Sequence, residues 1–401
     1  MKAIGVDIGT AFIASAKYHR DNVAAKIVRD GFFVMPYLDQ RKHMLTESKV
    51  PFIVKDRPNV EGKRDIYVIG NEAFDMAVLF GQELRRPLAS GVISAKEKDT
   101  EFILKEIIRR VAGQGDPGDV AYYSIPANPV DADFTNIYHR EMFKRFLGDL
   151  GYNATPINEA LAVAWCELED KDLTGLSISL GAGMQNVCMA YRGLEVFSFS
   201  VARAGDYVDQ QVAQSRGIAI SDATSEKESE GLDLLDPKND VQEAITIFYK
   251  AMLEYSIGHI SAAMEKHRRD IKLKEPLNFV VAGGTTMPKG FLRLLADALK
   301  ENPLPIPVGK VWQAKNPVLA VCKGCLKAAH KLVQDEAYDG VKDISNGQNE
   351  KHAYPTKPKE QSKSEKMEMS PKDKREQEER AKVVSNVVGG YTEAIDLTME
   401  K

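Results

Sequence analysis

Apolar positions fall along the chain in short strand-like runs, separated by stretches of helical periodicity. Three runs share one design: a short buried strand, a glycine turn and a return to regular structure. The first is Ala3-Ile4-Gly5-Val6-Asp7-Ile8-Gly9-Thr10-Ala11-Phe12-Ile13-Ala14. The second is Leu176-Ser177-Ile178-Ser179-Leu180-Gly181-Ala182-Gly183-Met184-Gln185-Asn186-Val187. The third is Leu277-Asn278-Phe279-Val280-Val281-Ala282-Gly283-Gly284-Thr285-Thr286-Met287-Pro288, and it leads into a helix whose apolar face is Phe291, Leu292, Leu294, Leu295, Ala298 and Leu299. The first two read as hairpins and point to two related halves. Between them, Thr100 to Val111, Phe134 to Leu150 and Glu159 to Leu168 have helical spacing. Val120 to Ile125 reads as a strand, ended by Pro126 and Pro129. Strands and helices alternate in both halves, so the predicted fold is α/β with two lobes.

The pattern fails at the end of the chain. Between Glu350 and Lys382, 18 of 33 positions are charged, and the window holds no Val, Ile, Leu, Phe or Trp. Such a segment buries too little apolar surface to offset ordering, so it is expected to be disordered or at most a solvated helix. Apolar residues return at Val384, Val387, Val388, Tyr391, Ile395 and Leu397. They fit either a frayed end or a short tethered peptide that docks on a partner or on its own core. The expected division is a first lobe over 1–150, with a small subdomain inserted at about 30–100; a second lobe over 151–335, with a small subdomain at about 206–275; and a charged tail over 336–401.

Composition narrows the function. A net charge of −4 over 401 residues argues against nucleic acid as the main ligand. Four cysteines, Cys166, Cys188, Cys322 and Cys325, do not make a secreted disulfide framework. Asp7 interrupts any leader-like apolar core, and the run Ala160 to Cys166 is too short to span a bilayer, so the expected setting is the cytoplasm with no intrinsic membrane segment. Cys322-Lys323-Gly324-Cys325 has metal-ligand spacing, but no second pair stands nearby, and core packing is the expected role.

Glycine turns directly after strands let backbone N–H groups approach a phosphate. Gly9 with the Thr10 hydroxyl offers this in the first turn, and Gly181 with Gly183 in the second. A pair of such turns can hold a triphosphate between two lobes. Asp7 ends the first strand, where a carboxylate can hold Mg²⁺ through its water shell. Gly283-Gly284 provides a flat backbone surface for a nucleoside. Glu159, at a helix start, suits either the helix macrodipole or a water-orienting role facing the crevice.

These motifs resemble those of the actin-like ATPases, the superfamily of actin, the heat-shock chaperone ATPase domain and sugar kinases. Val6 to Thr10 resembles its first phosphate motif, Leu180 to Gly183 its second, Ile157 to Ala164 its connecting motif, Val281 to Pro288 its adenosine motif, and Ala320 to Cys325 its second connecting helix. Within that superfamily, Val68 to Met76, Arg86 to Ile93, Ala202 to Asp209 and Ala223 to Glu228 are similar to segments of the bacterial actins MreB and MamK. The resemblance implies a two-lobed actin-like (ribonuclease H-like) fold that binds ATP or ADP with Mg²⁺. Asp7 would anchor the hydrated metal and Glu159 would polarise the attacking water. Gly9, Thr10, Ala11, Gly181, Ala182 and Gly183 would bind phosphates. Gly205, Asp206, Lys227, Glu228, Gly283, Gly284 and Thr285 would complete the nucleotide site.

The second phosphate motif departs from the family. Ser179 stands where Asp is usual, Met184 and Gln185 replace hydroxyl residues, and Asn186 stands where Asp is common. Losing a carboxylate beside the metal predicts weak ATPase turnover with nucleotide binding retained. The expected function is a bacterial-actin-like protein that assembles head to tail with copies of itself into cytoskeletal filaments, with a protein partner possible for the tail. The alternatives are a non-polymerising nucleotide-dependent scaffold, a chaperone-type ATPase module, or a small-molecule kinase.

Overall fold

The computed structural model describes residues 2–20, 22–57, 61–94, 97, 99–269, 271, 273, 275–345 and 394–397. The chain opens with a meander of β1 (Ala3–Ile8), β2 (Phe12–His19) and β3 (Asn22–Arg29). An excursion follows, comprising β4 (Phe32–Pro36), α1 (Asp39–Glu47), β5 (Phe52–Asp56), β6 (Arg64–Ile69), α2 (Asn71–Leu79) and the short hairpin β7 (Leu88–Ala89) and β8 (Val92–Ile93). Strands β4, β6 and β5 form a small sheet with its own core around Phe33, Met35, Leu45, Ile66 and Val68. Helix α3 (Thr100–Ala112) returns to the first sheet, and β9 (Val120–Ile125), α4 (Ile137–Asp149) and β10 (Asn153–Asn158) complete it in the order β10-β9-β1-β2-β3.

The second half repeats this plan. After α5 (Glu159–Glu167) come the meander β11 (Gly175–Leu180), β12 (Gln185–Tyr191) and β13 (Leu194–Val201) and the helices α6 (Gly205–Arg216), α7 (Ile220–Lys227) and α8 (Asp240–Lys266). Then follow β14 (Leu277–Ala282), α9 (Phe291–Glu301), β15 (Val308–Gln313) and α10 (Ala320–Ser345). The sheet order is β13-β12-β11-β14-β15, extended by β16 (Ile395–Asp396). Each sheet thus has an antiparallel meander on one side and two parallel strands on the other, each parallel pair joined through a helix. Parallel neighbours need such crossovers, which explains why the helices recur where they do.

Each half is closed by a helix that leaves for the other. Helix α5 follows the first sheet and packs on β11, β12 and β14 of the second; α10 follows the second sheet and packs back on β1, β9 and β2 of the first. The two helices cross through small residues: Ala160, Ala162 and Ala164 on α5, and Ala320, Gly324 and Ala328 on α10. A Cβ on Gly324 would lie 1.7 Å from the Ala162 carbonyl oxygen. A Cβ on Gly5 would lie 2.0 Å from the Cys322 carbonyl oxygen. Cys322 and Cys325 are free thiols buried at this crossing, which is core packing.

Local differences from the sequence pattern have simple causes. The helix expected from Phe134 begins at Ile137, because the Asn136 amide reaches back to the Pro126 carbonyl. Most of the charged tail lies outside the described residues. Its first part continues α10 to Ser345, and Ala394–Leu397 docks on the second sheet.

The crossing yields a test in which two glycines of one kind give opposite signs. Gly258, inside α8, has open space where a Cβ would go. Gly258→Ala should therefore stabilise the chain by about 1 kcal/mol, the helix-propensity gain. Gly324→Ala, also in a helix, should instead destabilise it by about 3 kcal/mol or more, since backbone lies in the way. Equilibrium urea unfolding of the two variants decides; matching signs would mean that the crossing is looser than the backbone contact indicates.

Candidate functional site

The two hairpin turns meet where the halves face each other. In the first, the Gly9 N–H donates to the Phe12 carbonyl (3.1 Å) and tightens the turn; in the second, the Gly181 N–H does the same to Met184 (3.0 Å). Among the described residues, the N–H groups of Thr10, Ala11, Ala182 and Gly183 make no backbone hydrogen bond and stay available at the turn tips. Gly205 and Asp206, at the start of α6, donate to the Gly181 and Ala182 carbonyls (3.1 and 2.7 Å). The Thr285 hydroxyl donates to the Gly181 carbonyl (2.7 Å). Gly283, at φ +97°, packs so closely that a Cβ would lie 2.1 Å from the Leu180 carbonyl oxygen, while Gly284 has open space beside it. Four loops far apart in sequence thus form one backbone-lined seam.

Two carboxyls line the crevice beneath these turns. Asp7 leaves β1 and accepts from the Ser124 hydroxyl (3.0 Å), whose oxygen accepts from the Ile8 N–H (2.8 Å). Glu159 is the first residue of α5, set there because the Asn158 side chain caps the helix through the Ala160 and Leu161 N–H groups. Its Oε1 accepts from the Ser179 hydroxyl (2.6 Å) and its Oε2 from the Asn186 amide (2.8 Å). Asn186 in turn accepts from the Ala127 N–H (2.9 Å), which ties this strand to the first lobe. Burial pushes the Asp7 carboxyl up to about 7, against the pull of the Ser124 hydroxyl. Burial first, and the Asp7 charge second, push Glu159 up to about 8, opposed by the Ser179 hydroxyl.

The β7–β8 hairpin seals the seam from the side. The Gly91 N–H donates to the Thr10 hydroxyl (3.1 Å), and a Cβ on Gly183 would lie 2.5 Å from that same oxygen and 2.7 Å from the Gly91 nitrogen. Arg86 grips Asp206 with two parallel hydrogen bonds (3.1 and 3.0 Å). Beside it, Asp30 is buried with one oxygen accepting from the Leu88 N–H, and burial raises its pKa well above the usual carboxylate range. Farther out, Arg29 and Glu228 stand 3.9 Å apart. The halves are therefore latched to each other directly at the turns.

The family model named volactin matches residues 1–329. The chain belongs to the volactin family. This volactin-family chain also shares the actin-like fold of solved structures. It superposes on the MamK double helical filament with a TM-score of 0.59 at 20% identity, covering 82% of this chain and 98% of that one. MreB 5 of Spiroplasma citri bound to AMPPNP gives 0.58 at 17% identity, covering 84% and 98%, and its ADP-bound form 0.57 at 16%, covering 86% and 98%. No curated protein matches the sequence.

Of the residues singled out from the sequence, Gly9, Thr10, Ala11, Gly181, Ala182, Gly183, Gly205, Asp206, Gly283, Gly284 and Thr285 converge on the seam, with Asp7 and Glu159 below it. Lys227 reaches the same seam from behind: its side chain is only 8% exposed, and its ammonium is held by Asp209 (2.7 Å) and the Gly205 carbonyl (3.0 Å). Neighbouring Glu228 keeps about half of its side chain exposed. Sequence reasoning treated Ser179 and Asn186 as losses; in the fold they are the two donors that orient Glu159. Ser124 carried no signal of its own, and Gly91 stood only inside the Arg86 to Ile93 resemblance, because their roles exist only across sheets. Among the described residues no group of three or more metal-ligating side chains occurs. Two facing carboxyls with raised pKa values still suit a hydrated divalent cation, whose charge would favour their ionised forms.

A carboxyl whose pKa is raised on folding holds more protons folded than unfolded, so stability falls as pH rises from the ordinary carboxylate range toward 8. Without nucleotide or Mg²⁺, the denaturation midpoint of the parent should drop steadily between pH 5 and 8. Glu159→Gln should flatten that slope, since Ser179 can accept from the new amide while Asn186 still donates to it. A variant slope as steep as the parent's would remove Glu159 from the account.

Proposed function

We propose that this chain binds an adenine nucleotide with Mg²⁺ between its two halves, residues 1–150 and 151–335, and that the loaded state directs head-to-tail assembly into filaments. The observation that carries the reading is the convergence of unused backbone N–H groups at Thr10, Ala11, Ala182 and Gly183 above the Asp7 and Glu159 carboxyls. Support comes from the shared fold with a filament of MamK and with an MreB bound to AMPPNP and to ADP. The cytoskeletal role rests on that kinship and on the seam together.

On this reading each residue has a distinct role. Turn-tip N–H groups bind phosphate oxygens without a Cβ in the way. Gly284, with open space beside its backbone, would face the nucleoside, and Glu228 would reach its sugar. Asp7 holds the hydrated cation, which supplies positive charge to the phosphates when bound. Glu159 orients a water; its carboxyl is largely protonated at neutral pH until that charge arrives, so base strength is coupled to loading. Because the two turns touch each other, entry of a triphosphate requires the halves to part about the α5–α10 crossing. Parting breaks the Arg86–Asp206 pair and the close contact of Gly183 with Thr10. A heterologous contact between successive copies then propagates without closing.

Ser179 makes turnover slow, since the metal side of the site lacks a second carboxylate beside Asp7. Ser179→Asp should raise phosphate release with Mg²⁺ and ATP by about tenfold, the direction expected of restored transition-state electrostatics. The same change should lower stability without Mg²⁺, because it sets a third carboxyl against Glu159. Unchanged release beside an already fast parent would overturn this assignment.

Assembly itself is read by sedimentation and electron microscopy of the purified chain with ATP, ADP, a non-hydrolysable analogue, or no nucleotide. The expected result is pelletable filaments with ATP and Mg²⁺, and monomer without nucleotide. Monomer under every condition would sink the proposal. Filaments that form equally with ATP and the analogue, with no phosphate released, would favour the second reading, a nucleotide-sensing scaffold. The motive for that reading is the Ser179 and Asn186 pair, which engages both oxygens of Glu159.

A further inference from the structure

The segment Ala394–Leu397 lies along the outer edge of the second sheet. Ile395 stands opposite Val311 and Asp396 opposite Lys310 in an antiparallel register, and the Leu397 N–H donates to the Gly309 carbonyl (3.2 Å). Leu397 packs on the core of that half, and Ile395 is half-buried over the fully buried Val311. Residues 346–393 separate this strand from the end of α10, a stretch that can span ~150 Å when extended.

We propose that the edge of β15 is a strand-addition site for a short extended peptide with branched apolar residues two positions apart, and that its resident ligand is the chain's own Ile395-Asp396-Leu397. Without this strand, β15 presents unpaired backbone groups at the sheet edge, the feature that recruits extended chain. The period-2 pattern places Ile395 and Leu397 on the face that meets the core, so side chains select the register while the backbone supplies the ladder. A strand of two paired residues is weak alone. The tether compensates by keeping it near the site at high effective concentration. The tail is therefore an exchangeable latch: when it leaves, the edge opens to any peptide of the same pattern. This site uses none of the residues assigned to the nucleotide turns and stands or falls independently of the proposed function.

The register supplies the test. Leu397 and Gly309 form a hydrogen-bonded pair, so Asp396 and Lys310 form the adjacent non-bonded pair, whose Cα atoms lie about 4.5 Å apart, within disulfide range. The full-length chain carrying Lys310→Cys and Asp396→Cys should cross-link within a monomer under mild oxidation by copper phenanthroline. Neither single variant should do so, and adding Ile395→Asp with Leu397→Asp should abolish the product. No product above the single-variant controls, or one indifferent to those two changes, overturns the site. A product of twice the mass places the strand on a second copy and overturns the resident assignment. As a second readout, a fluorescein-labelled peptide of residues 390–401 should bind full-length chain carrying Ile395→Asp and Leu397→Asp at least about tenfold tighter than the parent, whose own tail competes. Equal affinity for both, or no binding to either, overturns the proposal.

Discussion

Backbone meets backbone where α10 crosses α5 and lies on β1, with Gly324 against the Ala162 carbonyl and Gly5 against the Cys322 carbonyl. Every other feature of the crevice inherits its geometry from this contact. Helix α5 starts at Glu159, so the crossing sets how far that carboxyl stands from Asp7 at the end of β1. The same helix packs on the second sheet, so the crossing also sets where the second glycine turn faces the first. Small residues allow the close approach, and close approach in turn lets two sheets share one small core without a wide interface.

Charge works against the closed form. Two carboxyls face each other in a region largely withdrawn from water, and both are pushed toward the protonated state by burial. Nearby, Asp30 is buried with one oxygen lacking a hydrogen-bond partner among the described residues. The opposing forces are local and polar: the paired Arg86 and Asp206, and the Ala127 N–H bonded to the Asn186 side chain. A bidentate guanidinium–carboxylate pair with part of its surface still in water is modest in strength, so the latch holds without locking. The donors Ser179 and Asn186 fix the Glu159 orientation without adding charge.

Beyond the crevice, the tail shows how a weak element gains a place in the fold. The charged window from Glu350 to Lys382 holds no Val, Ile, Leu, Phe or Trp, whereas Ile395 and Leu397 carry enough apolar surface to seat a few residues on an existing edge. The sheet supplies the partner groups that so short a strand cannot provide for itself.

Much of the architecture was legible along the chain, because strand–glycine–strand runs and helical periodicity report local backbone preference and face burial directly. Asp7, Glu159 and the glycine turns could be named because each is the end of an element visible in the sequence. The position of Lys227 against Asp209, the seal formed by Gly91, and the use of Ser179 and Asn186 as donors to Glu159 were not, since they join residues between about 18 and 80 positions apart through geometry that only packing creates. Local sequence alone determined which segments become strands, turns and helices. Tertiary structure decided which polar groups those elements bring face to face, because hydrogen bonds and buried charges depend on distances that no single stretch of chain contains.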